Sequence, residues 1–282
     1  MIDRTAYDAV LVDLDGTLLD GQGRIRPRNF DALHSLAERG VHVMIATGRS
    51  TVATLPAIEG LDLETPMLVF NGAAIYCPKQ GRLIEERILS NRVIERTLEY
   101  GRERDLLTVL QLAEKKFATI PRNRDEERAL EFFHGLQQVE RSELPDEYVI
   151  RAIYYSAGHE SSVALRDEVE AYIDAPTFLT HFPLNLLVTH RESPMQVVDV
   201  HPPTRGKAEG LRFLQETYGI PPERVVAIGD AGNDLEMLRA AGLGVAMGQA
   251  QEPIRAAADR VIGHHDTDAI AELVEDLFGP RS

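Results

Sequence analysis

Four short segments of the 282-residue chain concentrate side chains able to do chemistry. Asp13 and Asp15 stand two apart where an apolar run, AVLV, gives way to Gly16. Thr47, Gly48 and Arg49 close a second run, VHVMIA. Asp230 closes a third, RVVAIG, with Asn233 and Asp234 just after it, and Lys207 lies near the start of the segment leading to that run. Singly, each has an ordinary reading: an Asp-Gly pair after a strand can be only a turn, Thr47 can simply end a strand, and Arg49 can open a helix with its guanidinium in solvent. Brought to one place, they make a set that packing does not explain. Clustered carboxylates repel one another unless a cation sits among them, and an all-oxygen site that keeps waters and accepts a phosphate suits Mg²⁺. A carboxylate attacking phosphorus to give an aspartyl-phosphate is an established covalent route. It requires the phosphoryl charge to be neutralised, which Mg²⁺ and Lys207 would do.

That convergence requires the segments to end neighbouring strands of one parallel sheet, since open α/β sheets place their ligands beyond the carboxyl ends of their strands. The first fifty residues do read strand, turn, helix, strand. PRNFDALHSLAERG spaces Phe30, Leu33 and Leu36 as a helix and ends at Gly40, a C-cap candidate. PMLVFNG reads as a third strand. After His201-Pro202-Pro203 the alternation resumes: GKAEGLRFLQETYG as helix, RVVAIGD as strand, NDLEMLRAAG as helix, GVAM as strand. Between these flanks the order is mixed. LLTVLQL and KKFATI, separated by Ala113 and Glu114, suggest an antiparallel hairpin; RDEERALEFFHGLQ reads as helix, and FLTHF, NLLVTH and MQVVDV as strands. The expected fold is α/β, a Rossmann-like parallel-sheet core with an inserted α+β cap domain. Residues 1–80 and 203–282 would form the core, and 81–202 the insert.

Composition narrows the classes. Hydrophobic residues make up 44% and charged residues 27%, as in ordinary globular proteins. The longest unbroken apolar run is Ala73 to Cys77, far short of the about 18 residues of a membrane span. Asp3, Arg4 and Asp8 interrupt the stretch where a secretory signal would be apolar. The single cysteine, Cys77, excludes an internal disulfide and a cysteine metal cage. A cytoplasmic location is the expectation. The net charge of −15 repels phosphate backbones, so neither nucleic acid nor membrane is expected as a partner, and a small anionic substrate needs a local positive site.

The motifs DLDGTLLD (13–20), ATGR (46–49), Lys207 in TRGKAEGL and GDAGND (229–234) resemble, in order and spacing, the four motifs of the haloacid dehalogenase superfamily of phosphatases. NGAAIY (71–76), VAMGQA (245–250) and the large insert after the third strand narrow the likeness to the Cof-type branch, with a type-two α/β cap. The resemblance implies a Mg²⁺-dependent phosphatase of small phosphorylated metabolites, with sugar phosphates the leading class. Asp13 would be the nucleophile, and Asp15 the acid and then the base. Thr47 and Gly48 would hold the transferring oxygens, and Lys207 would balance charge. Arg49 and Asn71 would contact substrate. The metal would be held by Asp13, the main-chain carbonyl of Asp15 and Asp230, with Asn233 and Asp234 close by or acting through water.

The chain departs from the family pattern at three places. Lys207 is followed by Ala208 where the family usually has Gly, and a slip in register would make Arg205 the substitute. Gln249 replaces a usual Asn, and Asp268-Ala269-Ile270 a usual Asp-Gly-Val; both substitutions read as turn positions. His264-His265 is set aside as a metal site, because adjacent residues point apart on regular structure. His181, Asn185, His190 and Asp199 lie late in the insert, and nothing fixes which side of its sheet they occupy. Two rival functions stay open: a phosphomutase or phosphotransferase on the same scaffold, and a catalytically idle regulator that binds a metabolite. The oligomeric state is not legible.

Overall fold

The computed structural model describes residues 6–131, 133 and 135–279. The chain forms two compact units: the residues up to Glu85 together with those from Arg205 onward, and Glu86–Thr204. In chain order the first unit begins with β1 (Ala9–Asp13), α1 (Pro27–Glu38), β2 (His42–Ala46), the single turn α2 (Thr51–Thr54), β3 (Met67–Val69), β4 (Ala74–Cys77) and β5 (Arg82–Glu86). The second comprises α3 (Asn91–Glu103), β6 (Leu107–Gln111), β7 (Lys116–Thr119), α4 (Arg124–Leu130), β8 (Leu136–Val139), β9 (Arg151–Ser156), α5 (Ser162–Ile173), β10 (Phe178–Pro183) and β11 (Gln196–His201). The first unit is completed by α6 (Glu209–Tyr218), β12 (Val225–Gly229), α7 (Leu235–Ala240), β13 (Leu243–Ala246), α8 (Glu252–Ala257), β14 (Arg260–Val261) and α9 (Ala269–Phe278).

The first unit is an eight-stranded sheet in the order β14-β13-β12-β1-β2-β3-β4-β5. From β14 to β3 the pairing is parallel, and β4 runs antiparallel to β3. All five residues of β1 are buried, as a strand with helices on both faces requires. Ala9, Leu11, Met44, Ala46, Leu68 and Ala227 form one core with Leu211 and Leu214 of α6, Met237 and Leu238 of α7 and Ile254 of α8. Val10, Val12, Val43 and Ile45 alternate with them and face the other side, where α1 packs on β2 and on α9. α1 ends as its sequence implies, with the Val41 amide donating to the Leu36 carbonyl and the chain turning at Gly40.

The second unit has a six-stranded sheet, β10-β11-β9-β6-β7-β8, in which every neighbouring pair is antiparallel except the parallel β7–β8. The β6–β7 hairpin pairs Gln111 with Lys116, as the short Ala113-Glu114 link implies. One face carries Tyr100 of α3 and Leu165 and Val169 of α5 against Leu110, Tyr154 and Val198. The other carries Leu107, Val109, Ile153, Tyr155 and Val197 against Ala129 and Leu130 of α4. Side chains cap the helices of this unit: Ser90 for α3, Asn123 for α4 and Ser161 for α5 accept from first-turn amides.

Three elements differ from the sequence reading. β4 and β5 extend the first sheet, so the division between units falls after Glu85 and after Thr204 rather than at 80 and 202. NLLVTH is not a strand. Pro183 ends β10, the Leu184 amide closes onto the Met195 carbonyl, and the segment makes two 3₁₀ turns with Leu186 and Leu187 exposed. The helix expected from Arg124 stops at Leu130, and Leu136–Val139 instead pairs with the outer edge of β7.

Candidate active site

Because β1, β2, β3 and β12 are parallel neighbours, the residues that follow them emerge at one edge of the sheet. Asp13 is the last residue of β1, Thr47-Gly48-Arg49 follows β2, Phe70-Asn71-Gly72 follows β3, and Asp230 follows β12. Lys207 reaches the same place from a 3₁₀ turn, Gly206–Ala208, just before α6. Its Nζ donates to Asp13 Oδ1 at 2.5 Å and to Asp234 Oδ1 at 2.6 Å, and all three side chains are buried. Carboxylate oxygens of Asp13, Asp230 and Asp234 lie within 4.8 Å of one another. The Lys207-Ala208 register therefore holds without a Gly at 208, and Arg205 is not a substitute.

Asp234 is fixed twice over. While Oδ1 accepts from Lys207, Oδ2 accepts from the amides of Asp230 and Ala231 at 3.0 and 2.9 Å. It therefore clamps the loop that presents Asp230. Thr17, which the sequence reading did not single out, donates its hydroxyl to Asp230 Oδ1 at 3.2 Å. Gly16 has φ +75°, and a Cβ there would come within 2.4 Å of Asp230 Oδ2, so this turn admits glycine alone.

The electrostatics are those of a carboxylate cluster short of positive charge. Burial, with the Asp234 and Asp230 charges adding to it, pushes the Asp13 carboxyl well above the usual carboxylate range despite Lys207. Burial and Asp234 push Asp230 up to about 6. Burial works against the Lys207 charge, yet Asp13 and Asp234 outweigh it and hold the ammonium above its ordinary value. Three carboxylates around one ammonium, presenting only oxygen donors, fit a hard divalent cation, which would lower the cost of ionising Asp13 and Asp230 together.

The remaining candidates meet other partners. Asp15 is 58% exposed, and both its oxygens accept from Arg49: Nε at 2.8 Å and Nη2 at 2.5 Å. Its side chain is thus not in the Asp13–Asp230–Asp234 cluster. Asn233 donates Nδ2 to Asn71 Oδ1 at 3.0 Å, which joins the loop after β12 to the loop after β3. Asn71 is left-handed, φ 50° and ψ 41°, its amide donates to the Thr47 carbonyl, and its side chain lies against Gly48. Thr47 is buried and accepts the Arg49 amide on its hydroxyl at 3.1 Å. Gln249, read as a turn position, instead reaches the loop after β1, its Nε2 donating to the Gly16 carbonyl at 2.5 Å and its Oε1 accepting from the His265 amide at 3.2 Å.

His264 and His265 also depart from expectation. They lie outside regular structure, their rings sit 4.5 Å apart, and with Asp266 they bring ligand atoms within 4.8 Å of one another. In the second unit, His181 contacts Ser162 on the α5 side of the sheet, whereas Asp199 lies on the opposite face beside Arg151, 3.3 Å away. His190 is buried, and Asn185 is exposed in the loop between β10 and β11.

Residues 10–274 match the sequence profile of the haloacid dehalogenase-like hydrolases, and the chain belongs to that family. It is 27% identical to the 5-amino-6-(5-phospho-D-ribitylamino)uracil phosphatase YitU of Bacillus subtilis (strain 168), over 95% of this chain and 97% of that protein. It is 29% identical to the pyridoxal phosphate phosphatase YbhA of Escherichia coli (strain K12), over 94% and 96%. A crystal structure of a haloacid dehalogenase-like hydrolase from Bacteroides thetaiotaomicron superposes with a TM-score of 0.78 at 26% identity, covering 96% of this chain and all of that one. The chain is accordingly a hydrolase of the phosphatase type. Among the described residues no helix is long and apolar enough to cross a membrane.

Proposed function

We propose that the chain is a Mg²⁺-dependent phosphomonoesterase of small phosphorylated metabolites, sugar phosphates among them, working in the cytoplasm through an aspartyl-phosphate on Asp13. The observation that carries this reading is the buried Asp13–Lys207–Asp234 array beside Asp230 at the carboxyl edge of the sheet. Asp13 and Asp230, with Asp234 behind them and the Asp15 main-chain carbonyl, would hold the cation. When bound, it would neutralise phosphoryl charge so that an anionic nucleophile can approach. Asp13 attacks phosphorus as the bond to the leaving oxygen breaks, and Asp15 gives that oxygen its proton. Asp15 then takes a proton from the water whose oxygen replaces Asp13 on phosphorus. Thr47 and the Gly48 amide bind the transferring oxygens, and Lys207 balances the charge that builds on them. Both of these relatives are named for phosphatases of small phosphorylated compounds, which supports the substrate class. The inserted unit, in this reading, is the cap that selects the leaving group.

The test is phosphate release from a panel of phosphorylated metabolites and p-nitrophenyl phosphate. Activity is expected with Mg²⁺ and not with excess chelator, and Asp13→Asn is expected to lower kcat by roughly 10³-fold or more with the fold intact. Turnover that survives both treatments would overturn the reading.

A further inference from the structure

We infer that His264, His265 and Asp266 form a binding site for a transition-metal dication such as Zn²⁺, distinct from the carboxylate cluster and independent of the phosphatase reading. The three residues lie in the loop between β14 and α9, where the Thr267 amide and hydroxyl close a turn by donating to the His264 carbonyl at 2.9 and 2.6 Å. Off regular structure, neighbouring side chains can converge, and each residue here brings a ligand atom within 4.8 Å of those of the other two. Two imidazoles beside one carboxylate are a donor set for Zn²⁺, Ni²⁺ or Co²⁺, whereas Mg²⁺ takes oxygen ligands.

Each ligand is held in a way that keeps an acceptor atom for the ion. His265 Nδ1 lies 2.8 Å from the Leu19 carbonyl, which can only accept, so the proton of the neutral ring is on Nδ1 and the lone pair on Nε2. A second ring nitrogen bonded to a main-chain carbonyl is the support that ligating histidines ordinarily have. Asp266 Oδ1 accepts the Gly21 amide at 2.7 Å, which orients the carboxylate and leaves Oδ2 to ligate. His264 Nδ1 accepts the Asp266 amide at 3.1 Å, so it too carries a lone pair, and it lies 3.5 Å from Asp266 Oδ2. Two acceptors thus approach each other with no proton between them, and 3.5 Å is close to the spacing of two ligands bonded to one ion at about 2.1 Å. The His264 side chain is 47% exposed, so its ring can turn from the amide to the ion while water takes the amide. The supports come from far along the chain: Leu19 and Gly21 belong to the loop after β1, and Gln249 accepts the His265 amide while donating to the Gly16 carbonyl. An ion here would tie the segment before α9 to that loop and stabilise the fold by its binding free energy.

The experiment is Zn²⁺ binding to the tag-free full chain, stripped with chelator, returned to millimolar Mg²⁺ and titrated against a chromophoric zinc chelator. A single Zn²⁺ per chain is expected to bind in competition with the dye. His264→Ala and His265→Ala are each expected to weaken that binding roughly tenfold or more, with the far-UV circular dichroism of the wild type. Asp230→Asn, in the other cluster, is expected to bind Zn²⁺ as the wild type does. Zn²⁺ is expected to raise the thermal midpoint of the wild type and not that of His264→Ala. If His265→Ala loses the native spectrum, His264→Ala, which alters an exposed side chain, decides alone. No Zn²⁺ taken from the dye, affinity unchanged in the histidine variants, binding lost in Asp230→Asn, or an equal rise of midpoint in His264→Ala would each overturn the inference. None of these readouts uses turnover, so the phosphatase reading stands or falls separately on Asp13→Asn.

Discussion

Lys207 is buried between two carboxylates, and its loss would leave Asp13 and Asp234 facing each other and Asp230 with no ammonium among them. Removing one partner from a buried ion cluster typically costs about 3–5 kcal/mol. Lys207→Met is therefore expected to lower the unfolding free energy by roughly that amount in urea denaturation with chelator present, and by less with Mg²⁺. An unchanged midpoint would show that the array is not held together by this charge. At this scale the sequence was informative where residue type alone restricts the role: Asp13, Lys207, Asp230 and Asp234 were legible because carboxylates and an ammonium at strand ends have few other reasons to gather. The Asp15–Arg49 fork was not, since it depends on side-chain rotamers 34 residues apart in sequence. Nor were Thr17 and Gln249, whose hydroxyl and amide are common types with many ordinary uses and show their part only through Asp230 and the Gly16 carbonyl.

The loops at strand ends turn that inventory into geometry, and the one after β3 is the tightest. Phe70, Asn71 and Gly72 have φ of 52°, 50° and 87°, three successive left-handed residues, two of which carry side chains. Such conformations cost of order 1–3 kcal/mol each and persist only where surrounding contacts enforce them. Here the Asn71 amide is tied to Thr47 and its side chain to Asn233. A Cβ on Gly72 would lie 2.2 Å from the Gly206 carbonyl oxygen, main chain that cannot rotate away, in the turn that carries Lys207. Gly72→Ala is expected to destabilise by about 2 kcal/mol or more in chemical denaturation and to lower kcat, because any relief must move that turn. A neutral substitution would refute the close approach. Periodicity located the helices and buried strands well, since each reports its own burial. It failed where pairing depends on a distant neighbour: β8 and β5 form because an adjacent strand offers an edge, whereas NLLVTH, apolar enough to read as a strand, makes 3₁₀ turns instead.

Across the molecule, each unit has its own core, so local chemistry can set the stability of one of them. His201 ends β11 in the second unit. Burial, with the Arg151 charge adding to it, holds its imidazole well below the ordinary histidine range. The folded state therefore binds fewer protons than the unfolded one, whose histidine titrates near 6.5, so stability is full above that pH and falls as the pH drops below it. One such group costs about 1.4 kcal/mol at one pH unit below 6.5. Asp199, pushed upward by burial, works in the opposite sense, and comparing wild type with His201→Gln isolates the imidazole. The variant is expected to lose this part of the slope between pH 5.5 and 6.5 in urea titrations. Identical slopes would mean that His201 is protonated in the fold.

The β1 register has a consequence for biosynthesis. Ala9 to Val12 pair on one side with His42 to Ile45, which leave the ribosome soon after them, and on the other with Val225 to Ile228, which emerge some two hundred residues later. Until then the nascent chain holds an all-apolar strand with one flank unsatisfied while a whole other unit is made. Late, long-range pairing of this kind slows folding and leaves an edge open to wrong partners. Chains stalled before Val225 should therefore depend on chaperones, and pulse-chase of such truncations, set against the full-length chain, would read that dependence as aggregation.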